Sequence, residues 1–212
     1  MTGGARGPAA EAEAGAEAAA GSPTPVGNAP AAAGSAPREV VRVLTRSAAG
    51  TRAVAAAVAG HLVPGDVVVL SGDLGAGKTV FAKGTAAALG VDEPVVSPTF
   101  AIVRRYEGRL PVVHVDVYRL GRIQEVLDLD LDELFGDDRV TIVEWGEAVA
   151  ALLPGRRLEV GLAAVPVEAG TDPAADDERV LTLRSVGDWG ARLPALLAAV
   201  AGFEPAGEEP GC

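Results

Sequence analysis

One eight-residue stretch constrains this chain more than any other. Gly72-Asp73-Leu74-Gly75-Ala76-Gly77-Lys78-Thr79 matches G-x-x-x-x-G-K-[ST] at every position. It follows DVVVLSG (66–72), a continuous apolar run of the kind that forms a strand buried on both faces. It precedes a helical pattern from about Lys78 to Leu89. Glycines let such a loop wrap with its backbone N–H groups around an anion, and the helix adds the positive end of its dipole. Lys78 is placed to reach β- and γ-phosphates, and the Thr79 hydroxyl to ligate Mg²⁺. The chain has two lysines, Lys78 and Lys83, against sixteen arginines, yet a lysine stands here. The loop therefore predicts nucleotide binding. The sole asparagine is Asn28, so no N-K-x-D loop for guanine exists, which favours ATP.

Composition sets the frame around that loop. Of residues 1–37, 26 are Ala, Gly or Pro, and only Met1 and Val26 carry larger aliphatic side chains. Such a segment buries too little to offset its ordering entropy, so a disordered tail is expected over 1–37. FEPAGEEPGC (203–212) reads as a second, acidic tail, leaving a domain over 38–202. The net charge of -11 offers no broad basic face for nucleic acid. Cys212 is the one cysteine, which excludes a disulfide scaffold or a Cys-based metal site. No apolar run approaches the roughly 18 residues of a membrane span, and no signal segment opens the chain. A soluble cytoplasmic protein is expected.

VVRVL (40–44) and VTIVEW (140–145) read as strands, and 47–62 as a helix with Ser47 as its N-cap. PVVHVDVY (111–118) alternates, with Val113, Val115 and Val117 on one face and His114, Asp116 and Tyr118 on the other. Residues 92–109 look irregular at first, and 122–135 suggests helical turns. RLEVGLAAV (157–165) and ERVLTLRS (178–185) pair as antiparallel strands, and 189–201 closes as a helix bent near Pro194. Strands alternating with helices predict an α/β fold: a three-layer phosphate-loop domain with a mixed, mostly parallel sheet.

Phosphoryl transfer needs a second acidic group to hold Mg²⁺ or orient water. Glu144, ending an apolar strand, and Asp116 are the candidates. His114 reads as an ordinary hydrogen-bonded side chain near a sheet edge, and an independent zinc site is disfavoured for want of further His or Cys. Ser97-Pro98-Thr99 lies where a loop hydroxyl would sense a γ-phosphate.

GDLGAGKT (72–79) with Phe81 and Gly84, VVSPTFAIVRRY (95–106), HVDVYRL (114–120) and VEWGE (143–147) together resemble the TsaE (YjeE) family over about residues 40–185. That resemblance implies an ATPase of bacterial tRNA threonylcarbamoyladenosine modification, slow by itself and docking on the TsaB–TsaD pair. The modified adenosine lies beside the anticodon of tRNAs reading codons that begin with A, so contact with tRNA is expected to be indirect. Family roles then fall on Lys78 at the phosphates, on Thr79 and Glu144 at Mg²⁺, and on Asp116 in the catalytic sphere. Thr99 becomes a switch residue, Trp145 packs near the nucleotide or the partner, and Arg179 approaches the nucleotide. DLDLDEL (128–134) lacks the glycine usual there, and the N-terminal tail is outside the family pattern. The residues alone leave two alternatives, a small-molecule kinase and a non-catalytic ATP-dependent interaction module.

Overall fold

A computed structural model describes residues 40–118, 134–166 and 177–206. The tail read over 1–37 and nearly all of the helical stretch read over 122–135 lie outside the described residues.

Seven strands form one sheet: β1 (Val40–Thr45), β2 (Val67–Ser71), β3 (Val103–Tyr106), β4 (Val112–Asp116), β5 (Val140–Glu144), β6 (Arg157–Ala164) and β7 (Arg179–Val186). Their spatial order is β1-β7-β6-β2-β5-β4-β3. The central neighbours β6, β2, β5 and β4 pair in parallel. β7 pairs antiparallel with both β1 and β6, and β3 antiparallel with β4. The sheet is thus mixed, with β3 and β7 as the two reversed strands. β3 is an element that the sequence reading left within an irregular stretch. It is short and its Arg104 and Arg105 are exposed, a suitable composition for an edge.

Three helices, α1 (Ala48–Ala59), α2 (Lys78–Ala88) and α3 (Arg192–Ala201), cover the same core. Ser47 caps α1, its hydroxyl accepting from the Gly50 N–H at 3.1 Å. Gly84 lets α2 approach α1 closely, because a Cβ there would stand 2.8 Å from the Arg52 Cα. Pro194 falls in the first turn of α3, where its missing N–H is not needed by the helix. Even-numbered residues of β2, β5 and β6, among them Leu70, Ile142 and Val160, pack into this helix-covered core around the fully buried Phe81. Odd-numbered Val67, Val69, Val113, Val115 and Val143 form a second core with Leu134, Val149 and Leu153. The three expected layers follow from sheet strands that bury both faces.

The C-terminal boundary read at 202 shifts. Leu44 N–H donates to the Glu204 carbonyl at 2.8 Å and Ala206 N–H to the Arg42 carbonyl at 3.2 Å. Pro205 bridges Val43, and Phe203 packs against the core. Residues 203–206 therefore cover the outer edge of β1 rather than starting a tail.

Candidate functional site

The loop between β2 and α2 is built for close backbone approach. Gly72, Gly75 and Gly77 all have positive φ, at 129°, 81° and 105°. At Gly72 a Cβ would lie 2.1 Å from the Leu162 carbonyl oxygen, so no other residue fits. Ala76 is buried, whereas Leu74 is 80% exposed at the loop's crest. The N-terminus of α2 has Gly77 at its cap, no side-chain cap and no acidic residue in its first turn. Its dipole is thus left for an external anion.

Lys78 opens α2 and is buried. Its Nζ donates to the Gly72 carbonyl at 2.6 Å and the Asp73 carbonyl at 2.9 Å. It also stands 3.5 Å from the Trp145 ring centroid, a cation–π contact. Burial pushes the Lys78 ammonium below its ordinary value, partly opposed by Glu144, Glu147, Asp116 and Asp73. Trp145 reaches this place through a left-handed backbone at φ 62°, which turns the chain sharply off the end of β5. Such a conformation costs a non-glycine residue about 1–2 kcal/mol. Gly146 must follow, since a Cβ there would sit 2.3 Å from Val69 Cγ1.

Asp116 and Glu144 end the adjacent parallel strands β4 and β5 as register partners. Both are buried. The Thr79 hydroxyl lies 3.0 Å from each Glu144 oxygen. His114 Nε2 lies 2.9 Å from Glu144 Oε1. Asp116 is held separately: its Oδ2 accepts from the Thr99 hydroxyl at 2.6 Å and the Ser97 hydroxyl at 3.0 Å. Its Oδ1 accepts from the Tyr118 N–H at 2.9 Å. The backbone of Asp116 is pinned by the Ile102 carbonyl at 2.9 Å, and Ile102 itself is left-handed at φ 65°. Two strained residues thus fix the strand ends that carry the two acids.

These groups share one cleft of about 440 Å³, lined by Lys78, Thr79, Thr99, Asp116, Glu144 and Trp145 among others. The sequence-read residues Leu74, Gly75 and Gly77 line it as well. Gly72, Asp73 and Ala76 shape the loop from behind. Arg179 lies elsewhere, in a smaller hollow of about 90 Å³ on the other flank of the loop, with Thr51, Gly75, Gly77 and Asp177. The main cleft therefore offers backbone amides, a buried cation and, at its inner end, a hydroxyl and two carboxylates. Those are hard oxygen donors, too few to cage a metal alone but suited to Mg²⁺ shared with phosphate oxygens. Among the described residues no set of three or more His, Cys, Asp and Glu side chains forms a metal cage.

His114 is a site group to which the sequence reading gave no role in the chemistry, and Ser97, read there only as part of the Ser97-Pro98-Thr99 segment, joins Thr99 on Asp116. His114 is 1% exposed on β4, inside the edge strand β3, and binds Glu144. The signal was present, because H-x-D on a strand places both side chains on one face.

The chain was compared with known proteins. Residues 45–169 match the family model described as threonylcarbamoyl adenosine biosynthesis protein TsaE. A Bacillus subtilis protein named tRNA threonylcarbamoyladenosine biosynthesis protein TsaE is 44% identical over 139 residues, covering 65% of this chain and 81% of that protein. The protein of the same name from Treponema pallidum is 42% identical over 122 residues, 58% of this chain and 90% of that one. A crystal structure of Bacillus subtilis YdiB superposes with a TM-score of 0.61 at 34% identity, covering 77% of this chain and 95% of that one. This likeness accords with the phosphate-loop α/β fold.

Proposed function

This chain belongs to the TsaE family, and from that premise we propose that it serves tRNA threonylcarbamoyladenosine biosynthesis as an Mg-ATP-binding ATPase acting with the TsaB–TsaD pair. The observation that carries the reading is the single cleft in which Lys78, Thr79, Thr99, Asp116 and Glu144 meet around an uncapped helix N-terminus. The tRNA itself is engaged through the partners, in keeping with a net charge of -11.

Each residue has a task that its surroundings support. The amides of residues 75–79 cradle the phosphates. Lys78, now bonded to the loop's own carbonyls, exchanges them for β- and γ-phosphate oxygens, a stronger charge-assisted interaction. Trp145 lies against the same ammonium and so lines the phosphate side of the cleft. Thr79, Glu144 and Asp116 would hold Mg²⁺, which when bound neutralises phosphate charge. Asp116 also stands where it orients water, once Thr99 leaves it for the γ-phosphate. Arg179, across the loop, approaches the nucleotide from its other side.

The test is a reconstitution. Purified protein is mixed with TsaB, TsaD, Mg-ATP, threonylcarbamoyl donor and unmodified tRNA, and both phosphate release and tRNA modification are followed. Wild type should show slow release alone and sustained modification with partners. Lys78→Ala should bind no ATP and support neither. Sustained modification by Lys78→Ala would overturn the reading.

A further inference from the structure

The buried pair His114–Glu144 is the most informative group that the mechanism leaves without a task. The two side chains are 1% and 3% exposed and 2.9 Å apart. His114 occupies the helix-covered face of β4, two residues before Asp116 and between Val112 and the strand end. Where Glu144 is a carboxylate it can only accept, so the pair calls for the Nε2–H tautomer of His114, donating to Glu144 Oε1. The other ring nitrogen, Nδ1, is buried without a hydrogen-bond partner among the described residues. A leucine at this position would fill the space without the orphaned Nδ1, but would leave the buried Glu144 Oε1 to Thr79 alone among the described residues. What a leucine could not do is fix the rotation of the Glu144 carboxylate.

That rotation matters because, among the described residues, the Glu144 carboxylate is otherwise hydrogen-bonded only from the cleft side. Thr79 touches both of its oxygens. When the Thr79 hydroxyl turns to the cation, that hold is released. The His114 N–H, reaching Oε1 from inside the sheet, remains. The geometry points to His114 as the positioning residue of Glu144: it anchors Oε1 so that Oε2 and the Thr79 hydroxyl stay converged on the cation and phosphate end of the cleft. This rests on the Mg-ATP reading above. An outer partner that orients a ligand commonly accounts for about 10–100-fold in metal affinity or activity.

The experiment measures ATP affinity by calorimetry with Mg²⁺ and with EDTA, alongside kcat, KM and melting temperature. In wild type, Mg²⁺ should tighten ATP binding. His114→Leu should fold, yet lose about 10-fold or more of the Mg²⁺-dependent gain and of kcat, with affinity in EDTA unchanged. His114→Gln, whose amide reaches the same oxygen, should restore most of the loss, whereas the shorter His114→Asn should not. In a Glu144→Gln background His114→Leu should add no further loss, since it acts through that carboxylate. An unchanged Mg²⁺ gain in His114→Leu, or a full additional loss in the Glu144→Gln background, would overturn the assignment. Should leucine prevent folding, equal behaviour of the Gln and Asn variants would overturn it instead. A wild type that gains nothing from Mg²⁺ would sink the ATPase reading itself, an outcome distinct from these.

Discussion

Asp116 and Glu144 are direct neighbours across the β4–β5 pair, yet each carboxylate is committed to a different hydroxyl. Glu144 is held by Thr79 from the phosphate loop, and Asp116 by Thr99 from the 97–102 turn. Two like charges placed side by side repel. Separate donors offset that repulsion while connecting one acid to the loop and the other to the turn.

That division predicts how the two acids fail. On the proposed reading Lys78 and the loop amides would supply most of the phosphate affinity, so Glu144→Ala and Asp116→Ala should still bind ATP. Each carboxylate matters more as charge shifts in the transition state, and losing it should slow phosphate release by about 10²-fold or more. Calorimetry and phosphate release on the same preparations check this. Wild-type rates in both variants would mean that these buried acids serve the fold and that the catalytic acids lie elsewhere.

Thr99 should matter in a different way. Its hydroxyl is 2.6 Å from Asp116 Oδ2 and 2.6 Å from the Ser97 hydroxyl, a compact triangle of oxygens. On the proposed reading it would have to leave that triangle to meet a γ-phosphate, which would couple nucleotide state to the 97–102 turn. Thr99→Val should therefore lower discrimination between ATP and ADP by roughly 10-fold, with ADP affinity little changed, since a hydrogen bond to a charged group contributes about 1.5–3 kcal/mol. Thr99→Ser should behave as wild type. Competition binding with both nucleotides measures it.

Lys78 predicts a pH dependence of stability. Burial lowers its folded value below the ordinary one of about 10.5. The unfolded chain therefore keeps this proton to higher pH than the folded chain does. Between the two values the unfolded state binds more protons, so stability from this group rises with pH. A lysine stabilised by an ion pair would show the opposite sign. Melting curves without nucleotide, taken from about pH 8 to 10.5, should rise more for wild type than for Lys78→Met. Parallel curves would show that desolvation does not dominate at this lysine.

Much of this was legible in the residues because local chemistry is strict where phosphate binds. A buried run, three glycines and a lysine can be read in order, and the loop, β2 and α2 stand where that order puts them. Glu144 and Asp116 were legible because an apolar strand ending in an acid is a distinct pattern. What escaped was set by distance in sequence. The Glu144–His114 contact spans 30 residues, and no local pattern says which side of Glu144 a histidine on β4 will touch. β3 escaped because four residues with two arginines hold too little alternation to mark a strand. For Arg179 no side of approach was legible in sequence: antiparallel pairing with Ala164 and Thr45 sets it on the other flank of the loop, beside Gly75 and Gly77.

The C-terminal segment was misread for a related reason, and it yields a sharp prediction. Composition makes 203–212 look like an acidic tail, and composition does not register backbone pairing. Leu44 and Ala206 each give an N–H to that pairing, and Phe203 packs against the core. Each such hydrogen bond contributes about 0.5–1.5 kcal/mol net. The exposed pairing of Arg46 with Glu204 adds little, being screened by water. A chain ending at Gly202 should therefore lose about 2–4 kcal/mol, and each kcal/mol lowers the melting temperature by about 2–4 °C at this size. It should also self-associate more, because the outer edge of β1 would lie open to another strand. A chain ending at Ala206 keeps every one of these contacts and should melt as the full chain does. Thermal melts and sedimentation on the two truncations decide it: equal stability for both would return the boundary to 202.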